Sequence, residues 1–132
     1  MTADYFTGET AHALLRGEAR LLKWTQDGTL IESSQVEEAW GVKRKTVDAA
    51  RERGELFSLF IRGRHWYPAE ALKFERRALA AVNRALLAED PSSKLLFILR
   101  KHGALGGKTA ADAIADGHLD DVLRLAADWA RA

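Results

Sequence analysis

Apolar residues at helical spacing run through most of this 132-residue chain, and glycine or proline cuts the pattern at Gly41, Gly54, Gly63, Pro68, Pro91 and Gly117. Glycine supplies the left-handed backbone that ends helices and tightens hairpins, whereas proline removes a backbone donor and stops a helical run. A chain punctuated this way is expected to fold into short helices with one small hairpin, and its class is expected to be mainly α.

The segments between the breaks can be read in order. Leu14, Leu15, Leu21, Leu22 and Trp24 fall near seven-residue spacing, which predicts an amphipathic helix from about Thr10 to Trp24 ending at the Asp27-Gly28 turn. In "SSQVEEAW", Ser34 and Glu37 have capping-box spacing, so a helix is expected from Gln35 to Trp40, broken by Gly41. "KRKTVDAARERG" predicts a second short helix over Arg44–Arg53, with Val47 and Ala50 inward and Gly54 as its terminator. "LFSLFI" and "HWY" flank Arg62-Gly63-Arg64 as a hairpin that Pro68 ends. Leu72, Leu79, Val82 and Leu86 then predict one long linking helix from residue 69 to Asp90-Pro91. Beyond Pro91 a three-helix bundle is expected. Its first helix buries Leu95, Leu96, Ile98 and Leu99. Thr109 caps the second, Gly117 ends it, and the third carries Leu119, Val122, Leu123, Ala126 and Trp129 on one stripe.

Several function classes are poorly supported. There is no cysteine, so disulfides, thiol catalysis and cysteine-bound zinc are absent, and the four histidines are scattered without ligand spacing. No metal site and no cofactor are expected. "GALGGKT" ends like a phosphate loop, but its glycine spacing is wrong and the preceding segment reads as a helix instead of a strand. Adjacent carboxylates such as Asp120-Asp121 point in different directions on a helix and do not share a proton. No catalytic residue is expected and the chain does not read as an enzyme. The N-terminus lacks a secretory pattern and no run is long enough to span a membrane, so a cytoplasmic protein with no membrane partner is expected.

Net charge is only +1, but it is unevenly distributed. Between residues 43 and 67 seven Lys or Arg face three acids, whereas from Asp112 to Ala132 five Asp face two Arg. One end suits an anionic polymer and the other suits a different partner. The basic end has the parts of a helix-turn-helix: a positioning helix, the Gly41 turn, and a second helix able to enter the major groove. With Val47 and Ala50 inward, Lys45, Asp48, Arg51 and Glu52 are left for its exposed face, and Arg44 and Thr46 open it. Arg62 and Arg64 flank the hairpin tip, as a wing tracking the DNA backbone would require, and Trp66 and Tyr67 anchor the wing to the core.

"SSQVEEAWGVKRKTVDAARERGELFSLFIRGRHWYPAEAL" resembles the N-terminal region shared by many small antitoxins, and "LGGKTAADAIADGHLDDVLRLAADWA" is similar to the Xre/MbcA/ParS-type toxin-binding domain. The two stretches cover about half of the chain, in the order that family has them. The resemblance implies an antitoxin of a type II toxin–antitoxin system, which neutralises a cognate toxin, commonly a RES-domain enzyme that degrades NAD, and represses its own operon. It assigns DNA contact to Lys43, Arg44, Lys45, Thr46 and Arg51, beside the hairpin pair Arg62 and Arg64, and toxin contact to Leu105, Gly106, Gly107, Lys108, Thr109, Val122 and Leu125. Gly63, Tyr67 and Pro68 match a further element of the pattern. Two positions depart from it: Ala110 stands where proline usually follows the threonine, and Lys43 stands where a capping Ser or Thr often opens the recognition helix.

The expected organisation is a DNA-binding region at 1–90, comprising the helix-turn-helix, its wing, an N-terminal helix and the linking helix, followed by a toxin-binding helical domain at 91–132. A homodimer through the leucine-bearing helices completes the reading. The competing readings are a protein-interaction module whose helix pair is only scaffold, and a stand-alone transcriptional regulator with no toxin partner.

Overall fold

The structure, a computed structural model, describes residues 8–131, with side chains described from residue 17 onward. It is mainly helical with a small antiparallel three-stranded sheet. In order the elements are α1 (Gly8–Gln26), β1 (Leu30–Ile31), α2 (Ser33–Trp40), α3 (Arg44–Glu52), β2 (Leu59–Ile61), β3 (Arg64–Pro68), a 3-10 turn (Ala69–Lys73), α4 (Arg76–Ala85), α5 (Pro91–Leu99), a second 3-10 turn (Gly103–Leu105), α6 (Ala110–Ala115) and α7 (Leu119–Arg131). Leu14 and Leu15 lie outside the described side chains.

The breaks act where the sequence places them. Gly41 and Gly54 both adopt left-handed backbone, at φ 67° and 75°, and close α2 and α3 by donating back into the preceding turn. Arg62 and Gly63 form a two-residue hairpin loop with φ 49° and 83°, the signature of a type I′ turn, in a register that pairs Ile61 with Arg64. Asp90 caps α5 by accepting from the Ser93 amide at 2.9 Å, with Pro91 in the first helical position.

Four expectations are corrected. The first concerns α2, which starts at Ser33 with Glu32 as its N-cap. Gln35 accepts from the Glu32 amide at 3.2 Å, and Ser33, not Ser34, donates to Glu37. Second, β1 was not expected, because a two-residue strand shows no alternation. It pairs with β3, Leu30 opposite Pro68 and Ile31 opposite Tyr67, so the sheet order is β1-β3-β2. Third, residues 69–90 are not one helix. Phe74 lies off the Leu72/Leu79/Val82/Leu86 face yet is only 6% exposed. The chain breaks at Phe74 and Glu75, both in extended backbone, so that Phe74 and the leucine face both reach the core. Fourth, Leu96 is exposed, and Phe97 takes the wholly buried place on α5.

The core is one cluster that crosses the Pro91 boundary. Leu30, Val36, Val47 and Tyr67 join Leu79 and Val82 of α4 and Leu86 at its C-cap, and these continue into Leu95, Phe97 and Ile98 of α5 and Val122 and Ala126 of α7. α4 packs along α7, and α5 packs against both α6 and the first 3-10 turn. The residues before and after Pro91 therefore share one interior.

Candidate functional site

Lys43, Arg44 and Lys45 stand together at the exposed start of α3, and neither lysine forms an ion pair among the described residues. Val47 and Ala50 turn inward as expected, and Thr46 is half-buried. The rest of the exposed face is electrically balanced. Arg44 Nε lies 3.9 Å from Asp48, and Glu52 is exposed one turn further on. Arg44 and Arg64 also line one cleft of about 440 Å3 between the helix pair and the hairpin, together with Glu32, Glu37 and Asp48.

Arg51 is the chief departure from the expected site. Its side chain is 20% exposed, and Nη1 donates to the hydroxyl of the buried Tyr67 and to Asp48, both at 3.0 Å. Burial opposes its charge, but the Tyr67 and Asp48 contacts outweigh that and hold the guanidinium above its ordinary value. Arg51 thus fastens α3 to β3 instead of facing solvent. Beside it, His65 shares a 2.7 Å hydrogen bond with Ser58 Oγ, and burial, then the Arg51 charge, push its imidazole down.

The hairpin arginines are exposed and anchored. Arg62 pairs with Glu18 of α1 at 3.3 Å, and Arg64 makes a close ion pair with Glu32 at the head of α2. Such exposed pairs are worth at most about 1 kcal/mol, so an incoming phosphate can replace the carboxylate. Two cations missed at sequence level, Arg76 and Arg77, open α4. Arg76 stacks 4.4 Å over Trp40, and both line a groove with Ala50, Ala80 and Arg84 in which the one carboxylate, Glu55, is already shared by Arg53 and Arg84. Their adjacency to the α2–α3 pair becomes visible only once the linking helix is broken at Phe74.

The second predicted surface divides between interior and exterior. Val122 is wholly buried and Leu105 nearly so, which makes them supports and not contacts; Leu125 is half-buried. Gly106 and Gly107 are exposed, with φ 68° and 81°, in a loop closed by hydrogen bonds between His102 and Lys108 and from the Gly107 amide to the His102 carbonyl. Thr109 accepts from the Asp112 amide at 3.3 Å as the cap of α6, and Lys108 makes a close ion pair with Asp116. The buried His102 fixes this loop from beneath, bonded to the Phe97 carbonyl at 2.8 Å and edge-on to Trp129.

Among the described residues no three His, Asp or Glu cluster as metal ligands, and no helix is long and apolar enough to cross a membrane. No family model matches the chain, and no curated protein or solved structure is significantly similar to it.

Proposed function

We propose that the chain is an antitoxin with a winged helix-turn-helix head, α3 being the recognition helix and the β2–β3 hairpin the wing. The observation that carries this reading is the grouping of Lys43, Arg44 and Lys45 at the exposed start of α3, beside Arg62 and Arg64 on a hairpin whose exposed ion pairs reach Glu18 of α1 and Glu32 at the head of α2. A helix entering the major groove contacts bases through its N-terminal residues, and phosphate contacts from flanking arginines set its register. The acidic C-terminal bundle is the proposed surface for a cognate toxin, of the RES type by resemblance, with Gly106, Gly107 and Lys108 at its accessible tip. A homodimer belongs to the same reading, since a two-fold protein reads a palindromic site.

Co-expression with the product of the adjacent open reading frame tests the toxin half. Rescue of growth and co-purification are expected, and failure of both contradicts it. Protection of a palindrome in the chain's own promoter tests the DNA half. One observation favours a second reading, a protein-interaction module: Asp48 and Glu52 share the outer face of α3, and each hairpin arginine already has a carboxylate. Toxin capture without promoter binding is the outcome that selects it.

A further inference from the structure

Arginines flank α3 on two sides. Arg44 and Asp48 share a cleft with Gly63 and Arg64 of the hairpin. Helical spacing turns Ala50 away from Arg44 and Asp48, and Ala50 shares a groove of about 610 Å3 with Trp40, Glu55 and the α4 residues Arg76, Arg77 and Arg84. The fold does not use up the charge on this second side. Arg76 and Arg77 are exposed and form no ion pair among the described residues, and Arg76 lies 4.4 Å over the Trp40 ring, a contact that neutralises none of its charge. Glu55, the one carboxylate in the groove, is already bound by Arg53 at 3.0 Å and Arg84 at 3.2 Å. The Arg53 hydrogen bond, helped by the Arg84 and Arg76 charges, holds that carboxyl below its ordinary value. Glu75, exposed just before Arg76, does not line the groove. Nor does helix stability explain the two arginines, since cations in the first turn of a helix oppose its dipole.

A helix is about 10–12 Å across and the major groove of B-DNA is about 12 Å wide, so a helix lying in it has a sugar–phosphate ridge on either side. With α3 as that helix, the hairpin arginines border one ridge, and the start of α4 stands beside α3 where the other ridge passes. We propose that Arg76 and Arg77 form a second phosphate-binding site, gripping the backbone strand across the major groove from the one met by the wing, with Trp40 positioning Arg76. This inference rests on the reading of α3 as the recognition helix and adds to it a grip on both strands. Phosphate contacts fix register and orientation without reading bases, so the two arginines raise affinity for every sequence alike.

The test measures binding of full-chain variants to the chain's own promoter across a salt series, together with hydroxyl-radical footprints, after urea unfolding has verified that each variant is folded. Arg76→Gln/Arg77→Gln is expected to lower the log-log salt slope by about two units, and Arg77→Gln alone, which spares the Trp40 contact, by about one. Arg124→Gln/Arg131→Gln removes the same charge from α7 and is expected to leave the slope unchanged. In the footprint, Arg76→Gln/Arg77→Gln should lose protection along one border of the major groove, and Arg62→Gln/Arg64→Gln along the other. A parent that binds no promoter defeats the recognition-helix reading and this site with it. A parent that binds, and loses slope on Lys43→Ala/Lys45→Ala but not on Arg76→Gln/Arg77→Gln, overturns this site alone. An equal loss of slope in the α7 variant also overturns it. So does a groove variant that keeps its DNA slope but no longer co-purifies with the adjacent gene product, a result that gives the groove to a protein partner.

Discussion

Arg51 and Lys45 carry the same charge on the same helix, yet their surroundings give them different roles. Arg51 satisfies the hydroxyl of a wholly buried tyrosine, whereas Lys45 projects from the exposed face without a carboxylate partner among the described residues. Arg51→Ala is therefore expected to destabilise the fold by ~1–3 kcal/mol, the range for leaving a buried polar group unpaired. Lys45→Ala is expected to stay within about 0.5 kcal/mol of the parent while weakening DNA binding. Chemical denaturation of both variants separates the roles, and a stable Arg51→Ala protein would show that the Tyr67 bond is dispensable. Arg62 makes a second residue-scale case. It occupies left-handed backbone, which costs a side-chain-bearing residue about 1–2 kcal/mol, in the first position of a turn that prefers Asn-Gly. Arg62→Asn should raise the melting temperature even after losing the exposed pair with Glu18; a lower value would mean that the ion pair outweighs the strain.

At the level of elements, the helix ends set by glycine and the Thr109 cap are legible because the physics is local, although the capping box of α2 falls on Glu32 and Gln35 instead of Ser34 and Glu37. Gly41, Gly54, Gly117, Thr109 and the Arg62-Gly63 turn all act within a few residues of themselves. What was not legible depends on partners distant in sequence. β1 exists because β3 lies beside it, and the linking helix breaks because Phe74 finds space in the core off the leucine face. Helical periodicity places Arg51 on the exposed face and does not reveal a tyrosine sixteen residues downstream. Truncating Phe74 tests the cause of the break. Phe74→Ala is expected to cost ~3–5 kcal/mol in urea unfolding, the usual range for emptying a buried phenylalanine site. A cost below about 1 kcal/mol would mean that the break has another origin.

On the scale of the whole molecule, one continuous core makes residues 8–90 and 91–131 interdependent for stability, even though their surface charges differ. Tryptophans lie on both sides, Trp24, Trp40 and Trp66 in the first and Trp129 in the second, all packed against that core. Denaturation followed by tryptophan fluorescence and by far-ultraviolet circular dichroism should give coincident single transitions. Two separated transitions would mean that the α4–α7 packing does not couple the halves. The same coupling would give the proposed recognition helix α3 and the proposed C-terminal partner surface a shared frame.

The central claim is that the start of α3 meets DNA. The most direct measurement is the salt dependence of binding to the chain's own promoter by fluorescence anisotropy, for the parent and for a Lys43→Ala/Lys45→Ala variant of unchanged stability. The account predicts specific binding at low salt, a log-log salt slope about two units steeper for the parent than for the variant, and a marked loss of affinity in the variant. No promoter binding at low salt, or a slope and affinity that the double substitution leaves untouched, would contradict it.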